Sequence, residues 1–455
     1  MTVSRRLLGI LVALLVVAAA CSSSGPESFT AVSIPEDSDS NTSVDPAETP
    51  PETETTTETE TTTQAETTTE TETTPGPLAA VDAVASSGSW DIDAALAADP
   101  NCSNPVTGDP FLIGYAADLS EIGGPADRPG SQSAVHMADL INCSGGLDGR
   151  PVEVIVADIS GDAETTRTTL LDLLDSGVQA LIGPPFGDLG FRVLQVTDGD
   201  IAVLFAGSTE PALADSELLA YLVAFNDTQG ATVAADFALS RGWQTAVTFS
   251  SPGPYFGYNP LVFGDIFETR GGTLLGDFDY IPLETVDFSD AIAEFADNPP
   301  DVIYSAMFAF QIAELGAQLD EAGLDIELLQ SDAFDATGGA SIPGTDGIYH
   351  VTHGNVVEGS RIVALNESIS AQAGVGTVAP NFAGLAGDAM AVIIEGYYAA
   401  GQVDDPVAIG RAIANLSSVG GITGELTYEG TGLPVKPIYV QQIDGGESEL
   451  VQTAR

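Results

Sequence analysis

From about residue 108 onward, short apolar runs alternate with longer segments in which apolar residues recur every three or four positions. The short runs are typical of buried strands and the longer segments of amphipathic helices. The predicted strands are 111–116, 152–157, 180–183, 201–206, 245–249, 273–278, 302–305 and 326–330. The predicted helices are 131–141, 163–174, 228–239, 260–269, 288–295 and 309–322. This alternation predicts an α/β fold in which parallel sheets carry helices on both faces.

The N-terminus has the pattern of a secretory signal peptide over residues 1–20. Arg5 and Arg6 precede an apolar run at 7–20, which is shorter than the roughly 20 apolar residues of a membrane-spanning helix. The small residues before Cys21 resemble the lipobox of bacterial lipoproteins, which implies cleavage after residue 20 and lipidation of Cys21. We therefore expect an extracytoplasmic protein that is lipid-anchored to the cell membrane. The alternative is ordinary secretion with Cys21 free.

Residues 21–107 are expected to form a tether and lead-in. As far as about residue 76 they consist mainly of threonine, glutamate, serine and proline. Such a segment buries too little apolar surface to offset its ordering entropy, so the sequence predicts disorder there. The remaining body, of about 350 residues, is too large for one core and suits two domains.

The charge of the chain excludes some partners. It has 66 Asp and Glu residues against 12 Lys and Arg, and Lys436 is its only lysine. Because a polyanion repels nucleic acid and anionic lipid headgroups, neither is an expected partner.

Two of the three cysteines are candidates for a disulfide. With Cys21 assigned to the anchor, Cys102 and Cys143 remain as a pair in an oxidising compartment. The helix predicted to end near residue 142 runs antiparallel to the strand at 111–116, so its end lies beside the start of that strand. A bridge there closes a loop of about 40 residues and stabilises the fold by roughly 3–4 kcal/mol. The alternative is two separate buried thiols.

A series of motifs resembles the Leu/Ile/Val-binding (branched-chain amino acid) family of ABC transporter receptors, which are solute-binding lipoproteins with the type I periplasmic binding fold. In chain order the motifs are INCSGGLDGRP at 141–151, ALIG at 180–183, FAGSTEP at 205–211, DTQG at 227–230, the strand and helix at 302–324, and GITG at 421–424 with YEG at 428–430. The resemblance implies two Rossmann-like lobes joined by a three-crossover hinge that closes on a ligand. By this pattern the first lobe takes 108–228 and 347–423, and the second takes 229–346 and 424–455.

The first lobe offers one main candidate for ligand contact. In parallel α/β sheets, ligands bind beyond the carboxyl ends of the strands, where loops and helix N-termini converge. Gly207 permits close backbone approach, and Ser208 and Thr209 add hydroxyls, so free N–H groups there can hold a ligand carboxylate. The alternative is that Ser208 and Thr209 only cap the next helix. Other strand ends in this lobe are 119–124 and 184–188, the latter with Phe186.

For the second lobe, the resemblance implies ligand contacts at Tyr255, Phe308 and Asp332. Asp332 would pair with an ammonium group, while the aromatic rings would cover an apolar body. Phe308 can equally be a core residue, and the match at Tyr255 lies in a Gly/Pro-rich loop where the alignment can slip by a few residues.

Two residues limit the assignment of the ligand. Amino-acid-binding relatives offer a serine near Gly187, where this chain has no hydroxyl, and Glu210 would repel a carboxylate if it pointed inward. An amino acid is the leading ligand class, and amides, urea-like solutes and aromatic acids stay open.

Enzymatic chemistry has little support in the sequence. The only histidines are His136, His350 and His353. The last two are three apart in what resembles a strand or its end, and a regular strand would point them to opposite faces, which is poor for sharing a metal ion. The glycine-rich run at 374–379 follows no buried strand, so we treat it as chance. The sequence therefore predicts no enzyme, cofactor or metal site.

Two functions remain for the predicted clamp. The first is an extracytoplasmic solute-binding protein that works with the membrane permease and ATPase of an ABC importer. The alternative is a sensor ectodomain that passes ligand occupancy to a signalling partner.

Overall fold

The structure is a computed structural model that describes residues 90–373 and 379–455. The predicted signal peptide, Cys21 and the tether as far as residue 89 lie outside the described residues, as does most of the glycine-rich run at 374–379. Within the described ranges, no helix combines the length and the apolar character needed to cross a membrane.

The described chain alternates strands and helices. The strands are β1 (Phe111–Ala117), β2 (Val152–Asp158), β3 (Ala180–Gly183), β4 (Val203–Phe205), β5 (Ala220–Leu222), β6 (Thr245–Ser250), β7 (Thr273–Asp279), β8 (Val302–Ser305), β9 (Glu327–Gln330), β10 (Tyr349–Thr352), β11 (Val419–Gly420), β12 (Glu425–Tyr428), β13 (Pro434–Val435), β14 (Ile438–Asp444) and β15 (Glu447–Ala454). The helices are α1 (Ile92–Leu96), α2 (Gly124–Ser144), α3 (Ala163–Asp175), α4 (Gly187–Thr197), α5 (Asp227–Ser240), α6 (Pro254–Thr269), α7 (Ser289–Phe295), α8 (Ala309–Ala322), α9 (Ala333–Ala336), α10 (Arg361–Ala373), α11 (Pro380–Ala399) and α12 (Pro406–Ile413).

Two sheets organise the body, and we call the sheets with their packed helices the first and second lobes. The first sheet has the order β2-β1-β3-β4-β5 and is parallel throughout. The second has the order β15-β14-β10-β9-β8-β6-β7, in which β6 to β10 are parallel and β14 and β15 are antiparallel additions. This arrangement confirms the predicted α/β fold class.

Both faces of the first sheet are buried, as a parallel sheet requires. Along β1, Ile113 and Tyr115 enter the core on one face, whereas Ala116 enters the core on the other. Helices α10 to α12 return to the first of these faces, where Ile362 and Ile409 join the same core.

The chain crosses between the lobes at 223–226, 353–360 and 436–437, and two boundaries differ from those expected. Strand β10 pairs in parallel with β9, so it belongs to the second lobe although residues from 347 onward were assigned to the first. Residues 424–435 pack with the first lobe, because the Tyr428 hydroxyl donates to Leu222 O at 2.6 Å and Leu426 lies in the first core.

A buried ion pair lies among the three crossovers. Lys436 Nζ donates to Thr423 Oγ1 at 2.6 Å and to Val223 O at 3.0 Å, and it lies 3.4 Å from Asp388 Oδ2. Both charged side chains are fully buried. Burial lowers the pKa of Lys436 from its usual value, and the Asp388 carboxylate opposes that shift.

The N-terminal segment of the body is attached to the first lobe at two points. Cys102 and Cys143, at the end of α2, form a disulfide with their Cα atoms 5.8 Å apart. Arg361 donates from Nε and Nη2 to the two carboxylate oxygens of Asp93 at 2.7 and 2.8 Å. Next to the ion pair, Ile92 of α1 enters the first core, and Ala95 follows it there.

Candidate ligand-binding site

A narrow cavity lies between the lobes, at the carboxyl ends of the parallel strands. Six of the seven predicted contact residues line it, and Ser208 does not. The lining residues are Ile122, Ala126, Pro185, Phe186, Gly207, Thr209, Tyr255, Phe308, Asp332, Ala333, Ala336 and Phe382. The cavity volume is only about 20 Å³. A solute the size of an amino acid therefore enters only when the lobes or the rings move apart.

The first-lobe wall is built on the loop that follows β4. A Cβ atom at Gly207 would come within 2.9 Å of Pro185 Cβ and 3.4 Å of Phe382 Cδ1, so a larger residue there would displace the wall. In the described part of the chain, the backbone N–H groups of Gly207, Ser208 and Thr209 have no hydrogen-bond acceptor. Unpaired amides beside a cavity are suited to an anionic group.

Behind this loop, Thr209 is tied to a buried carboxyl group. The Thr209 hydroxyl donates to Asp227 Oδ1 at 2.6 Å, and Asn259 Nδ2 donates to the same oxygen at 3.3 Å. The other oxygen, Oδ2, has no partner in the described structure. Burial raises the pKa of Asp227 to about 7, although the hydrogen bond from Thr209 opposes the shift. Ser208 is also buried, and its hydroxyl accepts from Glu210 N at 3.4 Å.

Glu210 fills the space beside Gly187. A Cβ atom at Gly187 would lie 3.3 Å from Glu210 Cγ, so a side chain there would fit only if Glu210 moved by a few tenths of an ångström. The Glu210 carboxylate itself accepts a hydrogen bond from Ala212 N at 3.1 Å. Glu210 does not line the cavity.

The second-lobe wall centres on Asp332, which follows β9. The Tyr255 hydroxyl donates to Asp332 Oδ1 at 2.7 Å, and His353 Nε2 lies 2.9 Å from Oδ2. Ser331 lies 2.8 Å from the Tyr255 oxygen and therefore donates to it, because the tyrosine proton is already used. Asp332 thus has two donors in place before any solute arrives.

Aromatic rings close the cavity across the two lobes. The ring of Phe186, in the first lobe, has its centroid 6.0 Å from that of Tyr255 and 5.9 Å from that of Phe256 in the second. Phe256 in turn meets Phe308 at 5.7 Å. The Phe186–Tyr255 pair is edge-to-face and the Phe186–Phe256 pair is tilted. Aromatic pairs at such distances add roughly 0.5–1.5 kcal/mol each, so the rings favour the closed arrangement.

A second buried carboxyl group lies behind the Asp332 wall. Asp335 accepts hydrogen bonds from Thr352 Oγ1 at 2.5 Å and from Asn381 Nδ2 at 3.1 Å. Burial raises its pKa to about 7, opposed by the hydrogen bond from Thr352. His350 lies 3.5 Å from Asp335, and burial lowers the pKa of this histidine to about 3.

Sequence reasoning missed several residues of this site. Phe382 comes from α11, which neither motif nor periodicity connects to the cavity, whereas Ile122 lies in the strand end at 119–124 that the sequence did indicate. His353 was considered only as a metal ligand, whereas it contacts Asp332. The contact follows from β10 lying next to β9, and the order of strands within a sheet cannot be deduced from the periodicity of a single chain.

Comparison with known proteins assigns the family. The model of the periplasmic binding protein family matches residues 110–447. The Leu/Ile/Val-binding protein homolog 3 of Brucella melitensis is 24% identical over 330 residues, which cover 71% of this chain and 88% of the relative. The Leu/Ile/Val-binding protein BraC3 of Rhizobium johnstonii gives the same identity and coverage.

Solved structures share the fold. The leucine-binding protein LivK of Thermotoga maritima is 18% identical with a TM-score of 0.64, covering 75% of this chain and 98% of that one. A solute-binding protein of an ABC transporter from R. palustris, in complex with benzoate, is 19% identical with a TM-score of 0.64. The match covers 76% of this chain and 96% of that one. LivJ of Streptococcus pneumoniae, in complex with isoleucine, is 18% identical with a TM-score of 0.63. The match covers 75% of this chain and 99% of that one.

These findings confirm the family predicted from the motifs. The matched region runs from just before β1 to the first residue of β15, so it includes the whole first sheet, the second sheet except its last strand, and every residue that lines the cavity. The chain therefore belongs to the periplasmic binding protein family, and it is an extracytoplasmic receptor for a small solute.

Proposed function

We propose that the interlobe cavity captures a small solute with a carboxylate and an apolar body, an amino acid or a related compound, for delivery to an ABC importer. The observation that carries this proposal is the set of three unpaired backbone N–H groups at 207–209 beside a cavity lined mostly by apolar side chains. Relatives named for leucine, isoleucine and valine, and solved neighbours with isoleucine or benzoate, support this ligand class.

Each wall then has a defined task in binding. The amides of Gly207 to Thr209 receive the carboxylate, and Phe186 and Phe308 cover the apolar body. Asp332, with Tyr255, receives an ammonium group where the solute carries one. Because the closed cavity is small, we propose that the lobes open about the three crossovers to admit the solute and close over it.

We further propose that the receptor acts at the membrane through lipidated Cys21, after removal of residues 1–20. The lipobox-like residues support this proposal, as does membership of an extracytoplasmic family. The closed form would be recognised by the permease and ATPase of the importer, and the solute would be released unchanged. Cys21→Ser should abolish labelling with a palmitate analogue in cells, whereas Cys102→Ser should leave the labelling intact.

Thermal unfolding with a panel of solutes tests the ligand class. The panel contains leucine, isoleucine, valine, phenylalanine and benzoate, each beside its carboxamide. A ligand at a hundred times its Kd adds about 2.7 kcal/mol to the free energy of unfolding. We expect at least one carboxylate to stabilise the protein and its carboxamide to do so far less. Equal stabilisation by acid and amide, or by neither, would contradict the carboxylate site at 207–209.

A further inference from the structure

Buried carboxyl groups surround the cavity without fixed positive charges among them. Asp227, Asp332 and Asp335 are each at most 7% exposed. In the described ranges, no lysine or arginine forms an ion pair with any of the three, and Lys436 faces Asp388 instead. Among the described residues around this site, carboxyl groups therefore outnumber lysine and arginine side chains, and none of the three carboxyl groups is paired with a permanent positive charge.

His353 is the group closest to a counter-ion for Asp332, and its surroundings define its tautomer. Its Nε2 atom lies 2.9 Å from Asp332 Oδ2, whereas its Nδ1 atom is buried with no hydrogen-bond partner. A carboxylate oxygen only accepts, so Nε2 carries the proton. A second proton on Nδ1 would be a buried, unpaired donor, which costs free energy. The geometry therefore favours the neutral Nε2–H form.

The ring of His353 is held in one orientation by aromatic packing. It stacks on Phe225 with centroids 4.0 Å apart and meets Phe382 edge-on at 6.3 Å. Phe225 belongs to the first crossover and Phe382 to α11, so His353, which directly follows β10, is fixed by groups from two other elements. The hydrogen bond to Asp332 is consequently preorganised and does not depend on the solute.

The two donors orient Asp332 but leave its charge uncompensated. Tyr255 and His353 each give one neutral hydrogen bond, and a carboxylate has about four acceptor positions. Asp332 itself lines the cavity. A cation on the solute would supply the missing charge, because ionic hydrogen bonds are roughly twice as strong as neutral ones.

We propose that His353 is a positioning residue that fixes Asp332 toward the cavity and thereby makes the site select solutes with an ammonium group over acids of the same shape. This inference rests on the proposed function and makes it more specific. It assigns the solute to the α-amino acids and implies that carboxylic acids without the amino group bind more weakly.

The test compares matched pairs of solutes by isothermal titration. The pairs are leucine with 4-methylpentanoate and phenylalanine with 3-phenylpropanoate. We expect the unsubstituted protein to bind the amino acid of at least one pair about 10 to 100 times more tightly than its des-amino acid, the range for one hydrogen bond to a charged group.

Three histidine variants distinguish a role of His353 in positioning Asp332 from a role in packing alone. We define the selectivity ratio as the Kd of the des-amino acid divided by the Kd of the amino acid. His353→Leu removes the donor to Asp332 and should lower this ratio at least about tenfold, chiefly by weakening the binding of the amino acid. His353→Gln keeps an N–H donor and should restore most of the ratio. His136→Gln is the matched control, because His136 is a buried histidine that bonds Gln372 and Ser368 in the first lobe. It should leave the ratio unchanged.

The outcomes distinguish this inference from the proposed function. If the des-amino acids bind as tightly as the amino acids, the selectivity fails while the carboxylate receptor stands. If no member of either pair binds, the proposed ligand class fails, and this inference with it. Should His353→Leu not fold, ¹⁵N NMR of the unsubstituted protein decides: an Nε2-protonated neutral ring at His353 supports the assignment, and an Nδ1-protonated or cationic ring overturns it.

Discussion

Replacing Asp388 by asparagine would leave the only lysine of the chain buried without its counter-charge. Asp388 Oδ1 accepts from the backbone N–H groups of Ile422 at 2.5 Å and Thr423 at 3.0 Å, and Oδ2 faces Lys436 and the Thr423 hydroxyl. Asparagine can keep the two backbone bonds through its carbonyl oxygen. It would, however, turn an NH₂ donor toward the ammonium group, so the change removes attraction and adds donor–donor repulsion.

The expected loss is about 3–5 kcal/mol in the free energy of unfolding at pH 7, the range for a buried ion pair that loses one partner. Burial lowers the pKa of Lys436, and without Asp388 nothing opposes that shift. The unfolded chain, where the lysine pKa is about 10.4, then binds more protons than the folded one. Stability must therefore rise with pH in the variant as pH approaches that value, and part of the loss should be recovered near pH 10.

Urea unfolding followed by far-UV circular dichroism at pH 7 and pH 10 measures both effects. The double substitution Asp388→Asn with Lys436→Met is the matched control, because it removes the stranded charge and keeps the apolar stem. We expect the double variant to be more stable than Asp388→Asn alone. A loss below about 1 kcal/mol at pH 7, or a double variant no better than the single one, would refute the reasoning from charge burial.

Replacing Cys102 and Cys143 together by serine should lower stability by about 3–4 kcal/mol, and dithiothreitol should destabilise only the unsubstituted protein. Asp227 and Asp335 have pKa values raised to about 7 in the folded state against about 3.9 unfolded, so they cost stability as pH rises from about 4 to 7. In urea titrations, the free energy of unfolding of the variant with Asp227→Asn and Asp335→Asn should rise relative to that of the unsubstituted protein between about pH 4 and pH 7. A difference between the two proteins that stays the same across this pH range would contradict the raised pKa values. Gly207→Ala should weaken ligand binding about tenfold or more in calorimetric titrations, because the new methyl group displaces the cavity wall; unchanged affinity would show that the wall yields freely.

The lobes could be predicted because their strands are buried on both faces. A run such as Ala180–Gly183, which is entirely buried in β3, is apolar at every position and stands out in the sequence. The antiparallel strands β14 and β15 were not predicted. Strand β15 lies at the sheet edge with a mostly exposed and polar pattern, so it lacks the apolar run that marks the others.

The candidate residues that the sequence indicated follow strands, as Gly207 does within the motif at 205–211 and Asp332 does by its position in the resemblance. Residues that reach the cavity from elsewhere were not indicated, and Phe382 is one of them. Helix α11 is apolar on nearly every side because it is buried within the first lobe, so no amphipathic pattern indicates which of its faces meets the cavity. The role of Glu210 beside Gly187 was also unpredictable, since it depends on how two loops pack.

The two attachments of the N-terminal segment determine how the body would carry a mechanical load. A pull applied upstream of residue 90 would reach the body through the Asp93 ion pair and the disulfide at Cys102, and both end on the first lobe. The second lobe would then lie outside the path of the force. If the chain is held at Cys21, as the sequence predicts, tension would load one half of the clamp only, and the other half would remain free to swing over the solute.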